Sequence, residues 1–170
     1  MIIKTNNLIL IPCDVEILKE AIAGNENLTI KLGVSIAENW NKFGSAIFQY
    51  TIDKLAESEE ECGWWIYFPI HVNDNKLIGG GGYKGRPTPE GTVEIGYEIA
   101  PQYRDRGFAT EMAKGLVDNA FRDSRVKSVI AHTLAHENPS TRVLTKCGFV
   151  KTGEVNDPED GPVWRWELKR

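Results

Sequence analysis

The residues best placed to do chemistry fall in two adjoining stretches. One is Arg104-Asp105-Arg106-Gly107-Phe108-Ala109-Thr110, which follows the strand-like TVEIGYEIA and precedes a helical pattern. The first turn of a helix has unpaired N–H groups and the positive end of the helix dipole, so this junction can hold an anion. Gly107 lets a ligand approach the backbone, Ala109 leaves the next turn uncovered, and Arg104 and Arg106 add charge. The loop has neither the GK[ST] of a P-loop nor GxGxxG, so alone it reads equally as an anion cradle or as a plain helix start. The other stretch is the strand itself. Strict alternation puts Val93, Ile95, Tyr97 and Ile99 on one face and Glu94, Gly96 and Glu98 on the other. The two glutamates are either a solvated face or a pair of carboxylates able to move protons.

The elements that must position these residues follow from pattern. LILIP is a first strand, and DVEILKEAIAG a helix with Asp14 as N-cap and Gly24 at its end. Residues 25–42 are ambiguous, and a second helix is expected over about 43–57. WWIYFPIHV and KLIGGGGYKG read as a hairpin around Asn73-Asp74-Asn75, and TVEIGYEIA as the fourth strand. From Gly107 the period turns helical, with Ala109, Met112, Ala113, Leu116, Val117, Ala120 and Phe121 in one stripe. VKSVIAHT is the fifth strand. A short helix starts at Pro139 and ends at Gly148, and two more strands, FVKTGEV and VWRWELK, close the chain. The glycine run Gly79–Gly82 has no helix after it and reads as a strand with a bulge or a close backbone approach. The reading is one domain over residues 1–170, α/β in class, with a mixed sheet and about four helices.

Composition narrows the function. No apolar window is long enough for a membrane span, and no signal peptide is legible at the start. Cys13, Cys62 and Cys147 form no CxxC pair, which fits a reducing, cytoplasmic protein without a zinc site or disulfide framework. His71, His132 and His136 lack metal spacing and read as strand or loop packing, and Cys147 reads as packing before a helix-ending glycine. Trp64 and Trp65 read as core or cleft wall, and Lys84 and Arg86 as solvated turn charges. The net charge of −4 argues against nucleic acid as the main partner. Residues 1–100 hold 8 Lys/Arg and 14 Asp/Glu, while residues 101–170 hold 12 and 10, which is either ordinary surface variation or a sign of two ligands of opposite charge.

Two signatures carry a family resemblance. VEIGYEIAPQYRDRGFATEM contains an R/Q-x-x-G-x-G/A loop, and HENPSTRVLTKCGFVKTGEV follows at the proper separation. Together they resemble the GNAT superfamily of N-acetyltransferases, in its ribosomal-protein-alanine acetyltransferase-like (Rim-type) branch, over nearly the whole chain. The resemblance implies a mixed, mostly antiparallel sheet that splits open between the fourth and fifth strands, with acetyl-CoA as cosubstrate in the split and no metal. The pyrophosphate would lie on the amides of Arg104, Asp105, Arg106, Gly107, Phe108, Ala109 and Thr110. The pantetheine would run beside Ile99 and Ala100, where a backbone N–H would hold the thioester oxygen. Asn138 and Ser140 would face the cofactor from the other side. Asn138 stands two residues before Ser140, where three is usual, and Glu137 holds the usual place. Leu144 occupies the position where many relatives carry a tyrosine acid, so Ser140 is the candidate for that role. The acceptor would be a primary amine, of a protein N-terminus or a small molecule. A lysine amine has a pKa of about 10.4 and an α-amine about 8, so both gain from a base. Glu94 and Glu98 are the candidates, with Glu94 slightly favoured. A non-catalytic acyl-CoA-binding regulatory module on the same fold is the alternative, and the carboxylates and intact loop favour the enzyme. Homodimers are common in the superfamily, but no residue here demands one.

Overall fold

The computed structural model describes residues 1–170. In chain order the elements are β1 (Ile3–Lys4), β2 (Leu8–Pro12), α1 (Val15–Ala23), α2 (Asn25–Leu32), β3 (Ser35–Ile36), α3 (Ala46–Glu57), β4 (Ile66–His71), β5 (Lys76–Leu77), β6 (Gly79–Tyr83), β7 (Thr92–Ile99), α4 (Phe108–Ala120), β8 (Ser128–Leu134), α5 (Pro139–Lys146), β9 (Val150–Asp157) and β10 (Gly161–Lys169). The main sheet runs β1-β2-β4-β6-β7-β8-β10-β9, with β5 beside β4 and β3 beside β5. Along this path only β7 and β8 are parallel neighbours, as a helical crossover between them requires.

Two expectations change. There are five helices rather than about four, because the ambiguous stretch after Gly24 forms α2. Gly24 ends α1 and starts α2 at once, in a backbone region (φ 138°) that a side chain would strain. The segment expected as one strand over KLIGGGGYKG is two, β5 and β6, interrupted at Ile78.

The sheet has two differently covered faces. On one, α4 buries Met112, Ala113, Leu116 and Ala120 completely, and Tyr83 of β6 donates its hydroxyl to the Leu116 carbonyl at 2.6 Å. The glycines of β6 make this packing possible. A Cβ on Gly81 would lie 2.7 Å from Met112 Cε and 2.5 Å from the Gly96 carbonyl, so the expected close backbone approach is real. On the other face, α3 and the preceding loop cover β4 through aromatic contacts of Phe68 with Trp40 (5.1 Å) and Phe48 (5.8 Å). Beyond β7 that second face is open. Leu134 of β8 and Val155 of β9, which flank buried Val163 of β10 across the sheet, are exposed on it.

Candidate active site

The sheet opens where a site needs it to. β7 and β8 pair over three rungs only, Thr92 with Ser128, Val93 with Val129 and Glu94 with Ile130. From there Ile95–Ile99 stay with β6 and Ala131–Leu134 stay with β10. The result is a wedge with its root at Glu94 and Ile130 and an unpaired strand edge on each side. This is the split expected between the fourth and fifth strands of the sequence reading.

The loop Arg104–Thr110 lies at the wide end of the wedge. Gly107 is the N-cap of α4 at φ 84°, and Asp105 is also left-handed at φ 58°, a region Asp tolerates better than most residues. No side chain caps this helix. The amides of Asp105 through Thr110 have no partner in the chain, and the first bond of the turn runs from Glu111 N–H to the Gly107 carbonyl at 3.0 Å. A Cβ at Gly107 would meet nothing within 4 Å, so the glycine is needed for its backbone angle and for keeping those donors uncovered. The arginines do more local work than expected. Arg104 Nε donates to the Ile99 carbonyl at 3.0 Å, and the Arg106 guanidinium lies over the rings of Tyr103 (5.1 Å) and Phe108 (5.0 Å). Phe108 is buried against His71, and Tyr103 donates to Asp74 at 2.6 Å. The loop is therefore held from below by its own side chains and those of Asp74 and His71.

Ile99 and Ala100 differ in what they can offer. Ala100 N–H is spent on the Ile78 carbonyl at 2.7 Å. Successive amides of a strand point to opposite edges, so Ile99 N–H points to the split. Of the two expected oxyanion donors, only Ile99 has its N–H on that side.

Side chains flank the wedge on both faces. On the helical face Tyr97 Oη lies 3.2 Å from Ser140 Oγ, joining β7 to the start of α5. Burial pushes the Tyr97 phenol up to about 12, so it is protonated at neutral pH. Tyr97 reads in the sequence as one more apolar-face residue; its hydroxyl in a strand that ends at the anion loop was the available signal. Leu144 is fully buried and takes no part. Asn138, expected at the cofactor, is the N-cap of α5: its Oδ1 accepts from Thr141 N–H at 3.1 Å and its Nδ2 donates to the His136 carbonyl at 2.8 Å. Its side chain is thus committed to the helix start, in a capping box. Cys147 contacts the Thr110 carbonyl at 3.7 Å, and burial pushes its thiol up, which agrees with packing rather than nucleophilic use.

On the open face stand both glutamates, with Gly80 and Gly96 as a floor where a Cβ would meet nothing within 4 Å. Glu98 is half-buried and accepts from Lys42 N–H at 3.1 and 3.2 Å. Burial raises its carboxyl above the ordinary value despite those bonds. Glu94, the favoured base in the sequence, is more compensated: its Oε1 takes Lys84 Nζ at 2.5 Å and His132 Nδ1 at 2.9 Å. Asp157 of β9 reaches the same neighbourhood. Amides of Asp160 and Glu159 hold its carboxyl below the ordinary value, with help from Lys84 and His132. No cluster of His, Cys, Asp and Glu in the chain could hold a metal ion.

Three comparisons place this chain. Residues 17–150 match the acetyltransferase (GNAT) domain family. An uncharacterised N-acetyltransferase of Bacillus subtilis, YjdG, is 26% identical over 88% of this chain and 90% of its own length. Among solved structures, the ribosomal-protein-S5-alanine acetyltransferase of Vibrio fischeri superimposes with a TM-score of 0.71 at 16% identity, covering 99% of this chain and 96% of that one. RimL, a ribosomal L7/L12 α-N-protein acetyltransferase solved with coenzyme A, superimposes with a TM-score of 0.70 at 12% identity, covering 99% and 98%. Such low identities speak for the fold alone; the family match speaks for descent. The chain belongs to the GNAT family of acetyltransferases, enzymes that take their acetyl group from acetyl-CoA.

Proposed function

We propose that the protein transfers the acetyl group directly to a primary amine of a cytoplasmic protein N-terminus or small molecule, without an acyl-enzyme. The observation that carries this reading is the wedge with different chemistry on each side: an amide cradle at its wide end, carboxylates on its open face and a hydroxyl pair on its helical face. The donor, when bound, supplies a thioester carbonyl carbon for the amine to attack. The amides of Asp105 through Thr110 hold its pyrophosphate, that of Arg104 being bonded to the Pro101 carbonyl, and the gap-facing N–H groups of Ile99 and, deeper in the wedge, Tyr97 hydrogen-bond its pantetheine and thioester oxygen. Glu94 and Glu98 draw a cationic amine to the open face, where its proton passes to a base on that face. The Tyr97–Ser140 pair, protonated at neutral pH, supplies a proton to the leaving sulfur. The fit to acetyl-CoA rests on this chain's own groups, since unpartnered helix-start amides beside an open strand edge suit a phosphate-bearing, peptide-like ligand.

The test is release of free thiol from acetyl-CoA across a panel of peptides, polyamines, amino acids and aminoglycosides. Amine-dependent release that falls by about 10²-fold or more in Glu98→Gln or Glu94→Gln supports transfer. Tight acetyl-CoA binding with no release from any amine points to the regulatory module instead.

A further inference from the structure

Two of the three histidines behave as the sequence implies. His71 is buried under Phe108, and His136 Nδ1 meets the adjacent Glu137 carbonyl in a loop. His132 is placed differently. It stands on β8 two residues past the last β7–β8 rung, on the open face, and reaches back over the root of the wedge to Glu94. We infer that His132 takes the proton from the attacking amine, and that Glu94 is its positioning partner. This rests on the transfer reading above and names the base within it.

Three observations carry it. First, place: the His132–Glu94 contact bridges the two strands where they part, on the open face where Glu94 draws the amine. Second, tautomer: a carboxylate at 2.9 Å from Nδ1 accepts the Nδ1 proton, which leaves the Nε2 lone pair with no hydrogen-bond partner in the chain. Third, competition: the same Glu94 oxygen also takes the Lys84 ammonium, so its lone pairs are engaged, whereas the imidazole it orients keeps one nitrogen free to accept a proton. The charged groups about the ring are Glu94 from β7, Lys84 just past β6, Asp157 from β9 and Arg165, its rung partner on β10. Positive and negative neighbours are both present.

The step balances as follows. As the amine nitrogen forms its bond to the thioester carbon, the N–H proton passes to His132 Nε2. The C–S bond then breaks with its electron pair on sulfur, which takes a proton from the Tyr97–Ser140 pair on the opposite face. The imidazolium releases its proton to solvent, which its 26% exposed side chain can reach, and solvent restores the hydroxyl. Attack and departure thus use opposite faces of one opening.

The test combines spectroscopy and kinetics on the full chain. In the protein without acetyl-CoA, ¹⁵N NMR of the imidazoles should show His132 with its proton on Nδ1, and Glu94→Gln should shift that tautomer. His132→Ala should lose about 10²–10³-fold in kcat with unchanged acetyl-CoA affinity, and added imidazole should restore part of it. His132→Gln should lose the acid limb of the kcat/KM–pH profile, and a cycle with Glu94→Gln should be strongly non-additive. A wild-type ring protonated on Nε2 with Nδ1 bare, or a His132→Ala enzyme that keeps wild-type kcat and pH profile, overturns the assignment. A wild-type chain that binds acetyl-CoA but acetylates no amine overturns the transfer reading instead, and this assignment with it.

Discussion

At the scale of single residues, the site depends on groups held in states that folding alone does not favour. Gly107 is one, since its left-handed backbone suits no β-branched side chain. Gly107→Val should cost about 1–2 kcal/mol of stability and weaken acetyl-CoA binding, because the new side chain strains the turn and screens the amides. Thermal melts and calorimetric titration separate the two effects, and unchanged affinity would show that the cradle lies elsewhere. Glu98 is another. Its folded pKa is raised, mainly by burial, so the native state binds more protons than the unfolded one between the two values. Stability contributed by the protonated form is full below the unfolded value and is lost as pH rises through the folded one. Glu98→Gln should therefore melt higher than wild type at pH 7, and the gain should vanish below an unfolded glutamate pKa of about 4.3. Melting curves over pH 3–8 check it, and a gain that persists at low pH would contradict it. Strand alternation puts Glu94 and Glu98 on one face, and the family resemblance makes them candidates. Tyr97 and His132 were not legible as such, because their importance lies in partners 43 and 38 residues away in the chain.

At the scale of elements, the run Gly79–Gly82 shows how composition serves packing. Gly81 sits between the β7 backbone and Met112 of α4, and a methyl group there would overlap both. Gly81→Ala should destabilise the chain by about 1–3 kcal/mol, read by urea unfolding, and should lower activity through displacement of its rung partner Tyr97. Stability equal to wild type would mean that α4 can move aside. The sequence indicates a close approach at this run but not against what, since the partner is a helix about 30 residues later. The same limit explains α2: Asn25–Leu32 buries only Leu28, so its apolar periodicity is too weak to read, and its position follows from contact with α1. Long, strongly periodic elements such as β7 and α4 were legible to within a residue or two.

At the scale of the molecule, the acidic first 100 residues and the slightly basic remainder meet at the wedge, whose two faces they help to build. A cationic amine approaching the glutamates of the open face should be steered by that field. KM for such an amine should rise as salt is raised from about 0.01 M to 0.15 M, where the screening length shrinks from about 30 to 8 Å, while a neutral amine should respond little. Initial-rate measurements with matched amines decide this, and equal salt dependence would assign the steering to the cofactor side. The overall architecture was legible because two signatures lie at a fixed separation. The acceptor was not, because α1 to α3 and the loop carrying Lys42, the walls proposed for it, have few residues whose pattern chemistry alone explains.

The wedge also changes how the sheet must be counted. A continuous path from β1 to β9 would have two outer strands, but the wedge adds two further backbone margins in its interior, at Ile95–Ile99 and Ala131–Leu134. Neither inner margin carries the lysine or proline that commonly discourages pairing with another chain. In the proposed reading the cosubstrate runs along them, so it doubles as a guard against self-association, and a preparation stripped of it should be the one most prone to aggregate.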